Sequence, residues 1–347
     1  MTRPKLGVIG AGAWGTALAI AGVAAGSNVR LWARDPTAAA RLRSSRRNDR
    51  YLPGIDLPSA LEIVDDLAAM ADGRPLLLAV PSAYLDKTLR RLVPLLTPET
   101  GLALCAKGFD AASGRNVLEI LTEAAPSNPI ALLSGPSFAA DVARGLPTAV
   151  TLASRDARLI ADVQERLGQP RFRIYPTDDM IGVEIGGAVK NVLAIACGVA
   201  DGRGFGDNAR AALITRGLAE IMRLGLSMGA RLETLAGLSG LGDLVLTCTS
   251  GQSRNYALGL ALGQGLSLQE ASAAGRGVAE GVSSAAALAA LARARGVETP
   301  IIEAVSAVLH GGAKVEDAIA GLLARPFPVA DPGAITLSSS GAREAAR

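Results

Sequence analysis

Lysine and histidine are nearly missing from this 347-residue chain. Only five of its 35 basic side chains are lysine (Lys5, Lys87, Lys107, Lys190 and Lys314), so arginine fills the ordinary role of surface cation and a lysine inside an apolar run calls for a reason. The one histidine, His310, stands in a helix-like stretch near the C-terminus, far from any glycine-rich motif, which argues against a histidine general base. Cysteine is as scarce: Cys105, Cys197 and Cys248 are scattered, with no pair at metal-ligand spacing and no even disulfide framework, so no metal centre is expected and the compartment reads as reducing. Aromatic residues make up 3% of the chain, and the net charge of +3 is a small arginine excess spread along the sequence; with few rings to stack on bases, nucleic acid is a poor candidate partner. The opening MTRPKLGVIGAGAWG passes into a strand and turn without the pattern of a secretory signal, so a soluble, cytoplasmic protein is expected.

What is present begins with an alternation of short apolar runs and helical segments. Residues 5–10 read as a strand, GAGAWG supplies Gly10, Gly12 and Gly15, a small-residue helix follows to about Gly26, and residues 28–35 read as a second strand. In such a β-α-β unit Gly10 makes the tight turn, Gly12 lets backbone approach a pyrophosphate, Gly15 lets helix and strand pack closely, and the phosphates sit at a helix N-terminus. The second strand ends on Arg34 and Asp35, where an arginine would hold a 2'-phosphate and an acid a ribose 2'-hydroxyl; Arg34 comes first, which leans the reading to NADPH while leaving NADH open. The arginines of RLRSSRRNDRYLPG read as a solvated helix end and loop rather than a phosphate site. Further strands are expected over 74–82, 101–108 (carrying Lys107), 129–134 (running into Ser134-Gly-Pro-Ser137), 147–154 and 171–176, with a helix over 84–96. The fold class is therefore α/β: an N-terminal Rossmann-type, doubly wound, mostly parallel sheet over residues 1–178. Alanine- and leucine-rich helices over 179–329 form an all-helical C-terminal domain, and residues 330–347, which lack core residues, are expected to be a loose tail.

The junction is one apolar stretch, residues 179–203, with Lys190 inside it. Its length suits a membrane span, but Glu184, Lys190 and Asn191 within it and the glycine-rich flanks favour a core helix. An ammonium removed from water loses its proton readily, which suits a proton donor or acceptor near neutral pH; the alternative is a structural pair with Glu184 or an aspartate. Asp243, in an abrupt apolar turn, needs a partner, and Lys190 is the natural one. Ser253, Arg254 and Asn255 place an arginine and two capping residues at a helix start, which is either plain capping or a phosphate or carboxylate site. Glu280 either caps a helix or touches the cofactor.

The segments GAGAWGTALA, AKGF, SGPSFA, GVEIGGAVKNVLAIACGVADG, ALITRGLAE, GLSGLGDLVLTCTS, QSRN and GVAEG, in this order between about residues 5 and 325, resemble the bacterial NAD(P)-dependent glycerol-3-phosphate dehydrogenase family. The resemblance implies reversible reduction of dihydroxyacetone phosphate to sn-glycerol 3-phosphate for phospholipid synthesis, with a homodimeric enzyme. It implies Lys190 as acid/base and Lys107, Gly135, Ser137, Asp243, Ser253, Arg254 and Asn255 around the substrate. By the same resemblance Ala13, Trp14, Arg34, Tyr51, Lys107, Ala139, Arg254, Val278 and Glu280 meet the cofactor. Ala13 stands where relatives often carry a serine, so its contact would be made by backbone alone. The nearest rival is a lysine-dependent dehydrogenase of a hydroxy acid, of the 6-phosphogluconate or 3-hydroxyacid type. A nucleotide-binding protein without turnover is a second rival, and it would need neither the lysine nor the phosphate arginine.

Overall fold

The computed structural model describes residues 4–110, 113–274 and 279–325; Val278 and the segment 330–347 lie outside them. Eight strands, β1 (Lys5–Ile9), β2 (Asn28–Trp32), β3 (Glu62–Val64), β4 (Leu76–Leu78), β5 (Leu102–Leu104), β6 (Ile130–Ser134), β7 (Thr148–Ser154) and β8 (Phe172–Thr177), form one sheet in the order β3-β2-β1-β4-β5-β6-β7-β8. All neighbours are parallel except β6 and β7. The central strands are wholly apolar because helices cover both faces, so a period of two never appears in them. The helices of this half are α1 (Ala13–Ala24), α2 (Pro36–Ser45), α3 (Ser82–Leu92), α4 (Val117–Ala124), α5 (Ala139–Ala143) and α6 (Ala157–Leu167).

Several boundaries differ from the sequence reading. The edge strand β3 has only three residues, too few to show a pattern. The strand read over 28–35 stops at Trp32, since Asp35 caps α2, its carboxylate accepting from the Thr37 N–H. β4 and β5 are three residues each, which leaves Lys107 on the loop beyond β5 rather than in a strand. The helix read over 84–96 starts earlier, at Ser82, and ends at Leu92 before a 3-10 turn.

After β8 the described residues are helical. The first helix, α7 (Met180–Gly202), has 23 residues and so runs about 35 Å. It is long and apolar enough to cross a membrane, but 83% of its most apolar window is buried inside the protein, so it is a core rod. Around it pack α8 (Gly206–Ser227), α9 (Leu232–Leu235), a single π-helical turn (Leu238–Gly242), α10 (Asp243–Cys248), α11 (Arg254–Gly263), α12 (Leu268–Ala274), α13 (Glu280–Ala294), α14 (Pro300–His310) and α15 (Val315–Leu323).

Glycine spacing sets how closely α7 and α11 approach. A Cβ at Gly198 would stand 2.1 Å from the Tyr256 carbonyl oxygen, and one at Gly259 would stand 2.1 Å from that of Ile195. Gly202 and Gly263 repeat the contact one turn on, so the two backbones touch and Lys190 is carried on a helix with little freedom to shift. The two cores interlock at the junction: Val183 of α7 belongs to a core under the sheet, and Phe109, beyond β5, belongs to the helical core. Asp179 ties the helix start down, its carboxylate accepting from the N–H groups of Gly182 and Arg231, each at 2.8 Å.

Candidate active site

β1 lies between β2 and β4, the place where the sheet's winding reverses and where open α/β sheets bind ligands beyond the carboxyl ends of their strands. The glycine turn occupies that place. Gly10 has φ +111°, a conformation that favours glycine, and a Cβ there would meet the Ala79 carbonyl at 2.9 Å. A Cβ at Gly15 would fall 1.9 Å from the Gly10 carbonyl oxygen, so the helix can meet the strand only with glycine there. A Cβ at Gly12 would meet nothing within 4 Å, which leaves the turn open on that side. Gly12 caps α1 without any side-chain hydrogen bond, so the first N–H groups, at Ala13 and Trp14, have no side-chain acceptor and face a prospective anion. These residues fit a dinucleotide pyrophosphate. Ala139 opens α5, which packs against α1. The loop after α2 is drawn back onto the glycine turn by Asn48, whose amide donates to the Ala11 carbonyl at 3.0 Å and to Thr16 Oγ1 at 2.7 Å, while the Tyr51 ring in the same loop is exposed under the Arg50 guanidinium.

The carboxyl edge continues along β5 and β6 to Lys107 and Gly135. A Cβ at Gly187 of α7 would sit 3.4 Å from Lys107 Cδ, so the helix presents a flat glycine face on which the lysine stem lies. The Lys107 ammonium donates to Asp243 Oδ2 at 2.6 Å, and Lys190 donates to Asp243 Oδ1 at 2.6 Å and to Thr247 Oγ1 at 3.0 Å. The π-helical turn makes this possible: Gly240 comes so close to Leu235 that a Cβ would lie 1.9 Å from its carbonyl oxygen, and the turn delivers Asp243 between the two lysines. Asp243 is 1% exposed and Lys190 7%. Burial pushes the Asp243 carboxyl up, but the two ammoniums outweigh it and hold the group below the usual carboxylate range. Burial pulls Lys190 down to about 8, with the Lys107 charge acting in the same direction and Asp243 resisting. Lys190 therefore changes protonation near physiological pH while keeping a fixed position. The Glu184 pairing considered from the sequence does not form, because six residues on a helix turn Glu184 through about 600°, away from the face of Lys190; Asp243 is the partner.

A second polar chain flanks the first. The Gly281 N–H donates to Asn255 Oδ1 at 2.9 Å, which obliges the Asn255 amide nitrogen to donate onward to Asn191 Oδ1, also at 2.9 Å. The Asn191 amide NH2 is thereby turned away from Asn255. Ser253 caps α11, its hydroxyl accepting from the Tyr256 N–H, while Arg254 is exposed at the first helical position. Glu280 begins α13, and its carboxyl is raised by burial against the opposing pull of Arg254, Lys107 and Lys190. Ser137 donates to the Gly135 carbonyl at 2.9 Å. The structure thus brings Lys107, Gly135, Ser137, Lys190 and Asp243 together, with Ser253, Arg254, Asn255 and Glu280 beside them. Asn191 and Thr247 were missed in the sequence, although Thr247 stands four residues after Asp243 and hence on the same helix face.

Three of the arginines around α2 are engaged in structure: Arg43 with Asp65 and the Ile63 carbonyl, Arg46 with the Leu61 carbonyl, and Arg47 with Asp49 and Asp56.

Comparison with known proteins agrees with this geometry. Residues 5–160 match the family described as NAD-dependent glycerol-3-phosphate dehydrogenase N-terminus, and residues 179–320 match its C-terminus. The chain is 52% identical over 323 residues to the glycerol-3-phosphate dehydrogenase (NAD(P)+) of Parvibaculum lavamentivorans, covering 93% of this chain and 97% of that one. It is 53% identical over 327 residues to the protein of the same name from Caulobacter vibrioides, covering 94% and 99%. The crystal structure of glycerol-3-phosphate dehydrogenase from Coxiella burnetii superposes with a TM-score of 0.89 at 43% identity, over 93% of this chain and 99% of that one. With both halves matched in order and the identity sustained across nearly the whole length, the chain belongs to the NAD-dependent glycerol-3-phosphate dehydrogenase family.

Proposed function

We propose that the protein is an NAD(P)-dependent glycerol-3-phosphate dehydrogenase in which Lys190 moves the proton of the reaction: dihydroxyacetone phosphate, NAD(P)H and a proton give sn-glycerol 3-phosphate and NAD(P)+. The observation that carries this reading is the buried Lys190–Asp243–Lys107 triplet at the carboxyl edge of the sheet, beside the glycine turn. When bound, the reduced nicotinamide supplies hydride to the carbonyl carbon. Negative charge then grows on the carbonyl oxygen, and the Lys190 ammonium stabilises it and gives up its proton. In oxidation the neutral Lys190 amine takes the hydroxyl proton. Asp243 and Thr247 hold the amine in place through both states, and burial, with the Lys107 charge adding to it, keeps its proton affinity low enough for the return step. Arg254, with donors from Ser253 and Asn255 at the start of α11, binds the substrate phosphate and fixes the carbonyl near Lys190. Gly135 and Ser137 line the same space.

Arg34 favours NADPH over NADH, since Asp35 is turned to cap α2 while the guanidinium has no ion pair or hydrogen bond among the described residues. In this reading residues 1–178 hold the dinucleotide and residues 179–329 supply the substrate and dimer surfaces. The enzyme works as a cytoplasmic homodimer feeding phospholipid synthesis. The hydroxy-acid alternative falls behind, because relatives about half identical over nearly the full length share the glycerol-3-phosphate dehydrogenase name. The test is one steady-state series with both cofactors, offering dihydroxyacetone phosphate and each hydroxy or keto acid. Turnover confined to dihydroxyacetone phosphate supports the reading, and turnover confined to an acid refutes it.

A further inference from the structure

Four tyrosines occur in the chain, and two of them, Tyr51 and Tyr84, lie under arginine guanidiniums. The Arg34 guanidinium carbon is 4.9 Å from the centroid of the Tyr84 ring. Arg34 follows β2 and Tyr84 is in the first turn of α3, just beyond β4, so the stack joins the two strands that flank β1. It therefore spans the crevice at the glycine turn; a Gly10 Cβ would lie 3.1 Å from Val80, the residue before the α3 cap.

Arg34 differs from Arg30, Arg43 and Arg47, which are tied to carboxylates; Arg50 also lies over a ring, that of Tyr51, but in the loop after α2. Arg30 pairs with Glu62 and Asp72, Arg43 with Asp65, and Arg47 with Asp49 and Asp56. Among the described residues Arg34 has the Tyr84 ring alone. A cation–π contact uses the charge of a guanidinium and none of its hydrogen-bonding capacity, so the N–H donors of Arg34 stay available to an anion. The ring removes rotamer freedom that the arginine would otherwise lose on binding an anion, which is preorganisation. Tyr84 is 45% exposed, so the ring has no large share in the core.

We propose that Tyr84 is a specificity-determining residue for the cofactor: by holding Arg34 over its ring at the mouth of the crevice, it positions the guanidinium to receive the 2'-phosphate of an adenosine ribose. The proposal rests on the reading that Arg34 meets that phosphate. The ring thus acts through Arg34 and contributes to the 2'-phosphate preference without contacting the reacting atoms.

The test is calorimetric titration of the full-length protein with 2',5'-ADP, 5'-AMP, NADPH and NADH, in the parent and in Tyr84→Ala, Tyr84→Phe and Arg34→Ala, with melting temperatures to check folding. Tyr84→Ala should lose about two- to fivefold in affinity for 2',5'-ADP and NADPH, the scale of an exposed cation–π contact, with 5'-AMP and NADH unchanged. Tyr84→Phe keeps the ring and should match the parent. Arg34→Ala should abolish the preference. If Arg34→Ala abolishes it and Tyr84→Ala does not change it, Tyr84 has no such role and the Arg34 reading stands. A Tyr84→Ala loss shared equally by 5'-AMP and NADH makes the ring a general adenine platform and overturns the proposal. A preference that survives Arg34→Ala shows that the 2'-phosphate reading itself is wrong, and the proposal falls with it.

Discussion

Two ionisable side chains are buried six residues apart on the same helix, and they reach the same pKa from opposite directions. Burial pulls Lys190 down to about 8, and burial pushes Glu184 up to about 8, with the nearby Glu119 adding to the rise and the Val117 N–H opposing it. Near neutral pH Glu184 is therefore mostly an uncharged acid and Lys190 mostly a charged one. Their surroundings separate them. Lys190 has Asp243 and Thr247 as fixed partners at the sheet's carboxyl edge, whereas Glu184 Oε1 has no hydrogen-bond partner among the described residues. Desolvation alone makes a group titrate near pH 8; a partnered position at the carboxyl edge of the sheet is what lets it do chemistry there.

Four experiments probe that contrast, in falling order of effect. Lys190→Ala should lower kcat by about 10²–10⁴-fold while NADPH affinity by fluorescence titration is retained, and Glu184→Gln should keep kcat within about twofold. Equal losses in the two variants would erase the distinction. Arg254→Ala should raise the KM for dihydroxyacetone phosphate about 10- to 100-fold, the scale of a lost charge-assisted contact, with a smaller change in kcat. Asp243→Asn removes the carboxylate that raises the proton affinity of Lys190, so the fall of the reduction rate at alkaline pH should move roughly one unit lower in a pH–rate profile.

The smallest effect is on stability. The Glu184 carboxyl ionises near 4.5 in the unfolded chain and near 8 in the folded one, so the folded state binds more protons between those values. Stability therefore falls as pH rises from about 4.5 to about 8, and Glu184→Gln should remove that fall. Denaturant unfolding at pH 8 should find the variant more stable than the parent, with the gain shrinking at pH 5.

The readable parts of the sequence were those where spacing itself is the signal. Gly10, Gly12 and Gly15 announce their turn because each position has one steric reason to be glycine, and Lys190 stood out because a lysine in an apolar run is costly without a purpose. Asp243 was legible for the same reason. The rest depended on contacts that no local pattern records. Asn191 and Asn255 are 64 residues apart, and their orientation is set by the Gly281 N–H. The edge strand β3 is too short for periodicity and exists because β2 offers it a register, Arg30 opposite Glu62. Glu184 is excluded as a partner of Lys190 by the helical angle between them, which leaves the aspartate of the two alternatives.

The central claim is that one buried amine holds the proton in both directions of the reaction. It is tested most directly by measuring the pH dependence of dihydroxyacetone phosphate reduction and of sn-glycerol 3-phosphate oxidation on the same enzyme, each under single-turnover conditions. The account predicts that reduction falls and oxidation rises through a shared break at about 8, where burial places Lys190. Two breaks well apart, or rates indifferent to pH between about 7 and 9, would contradict it.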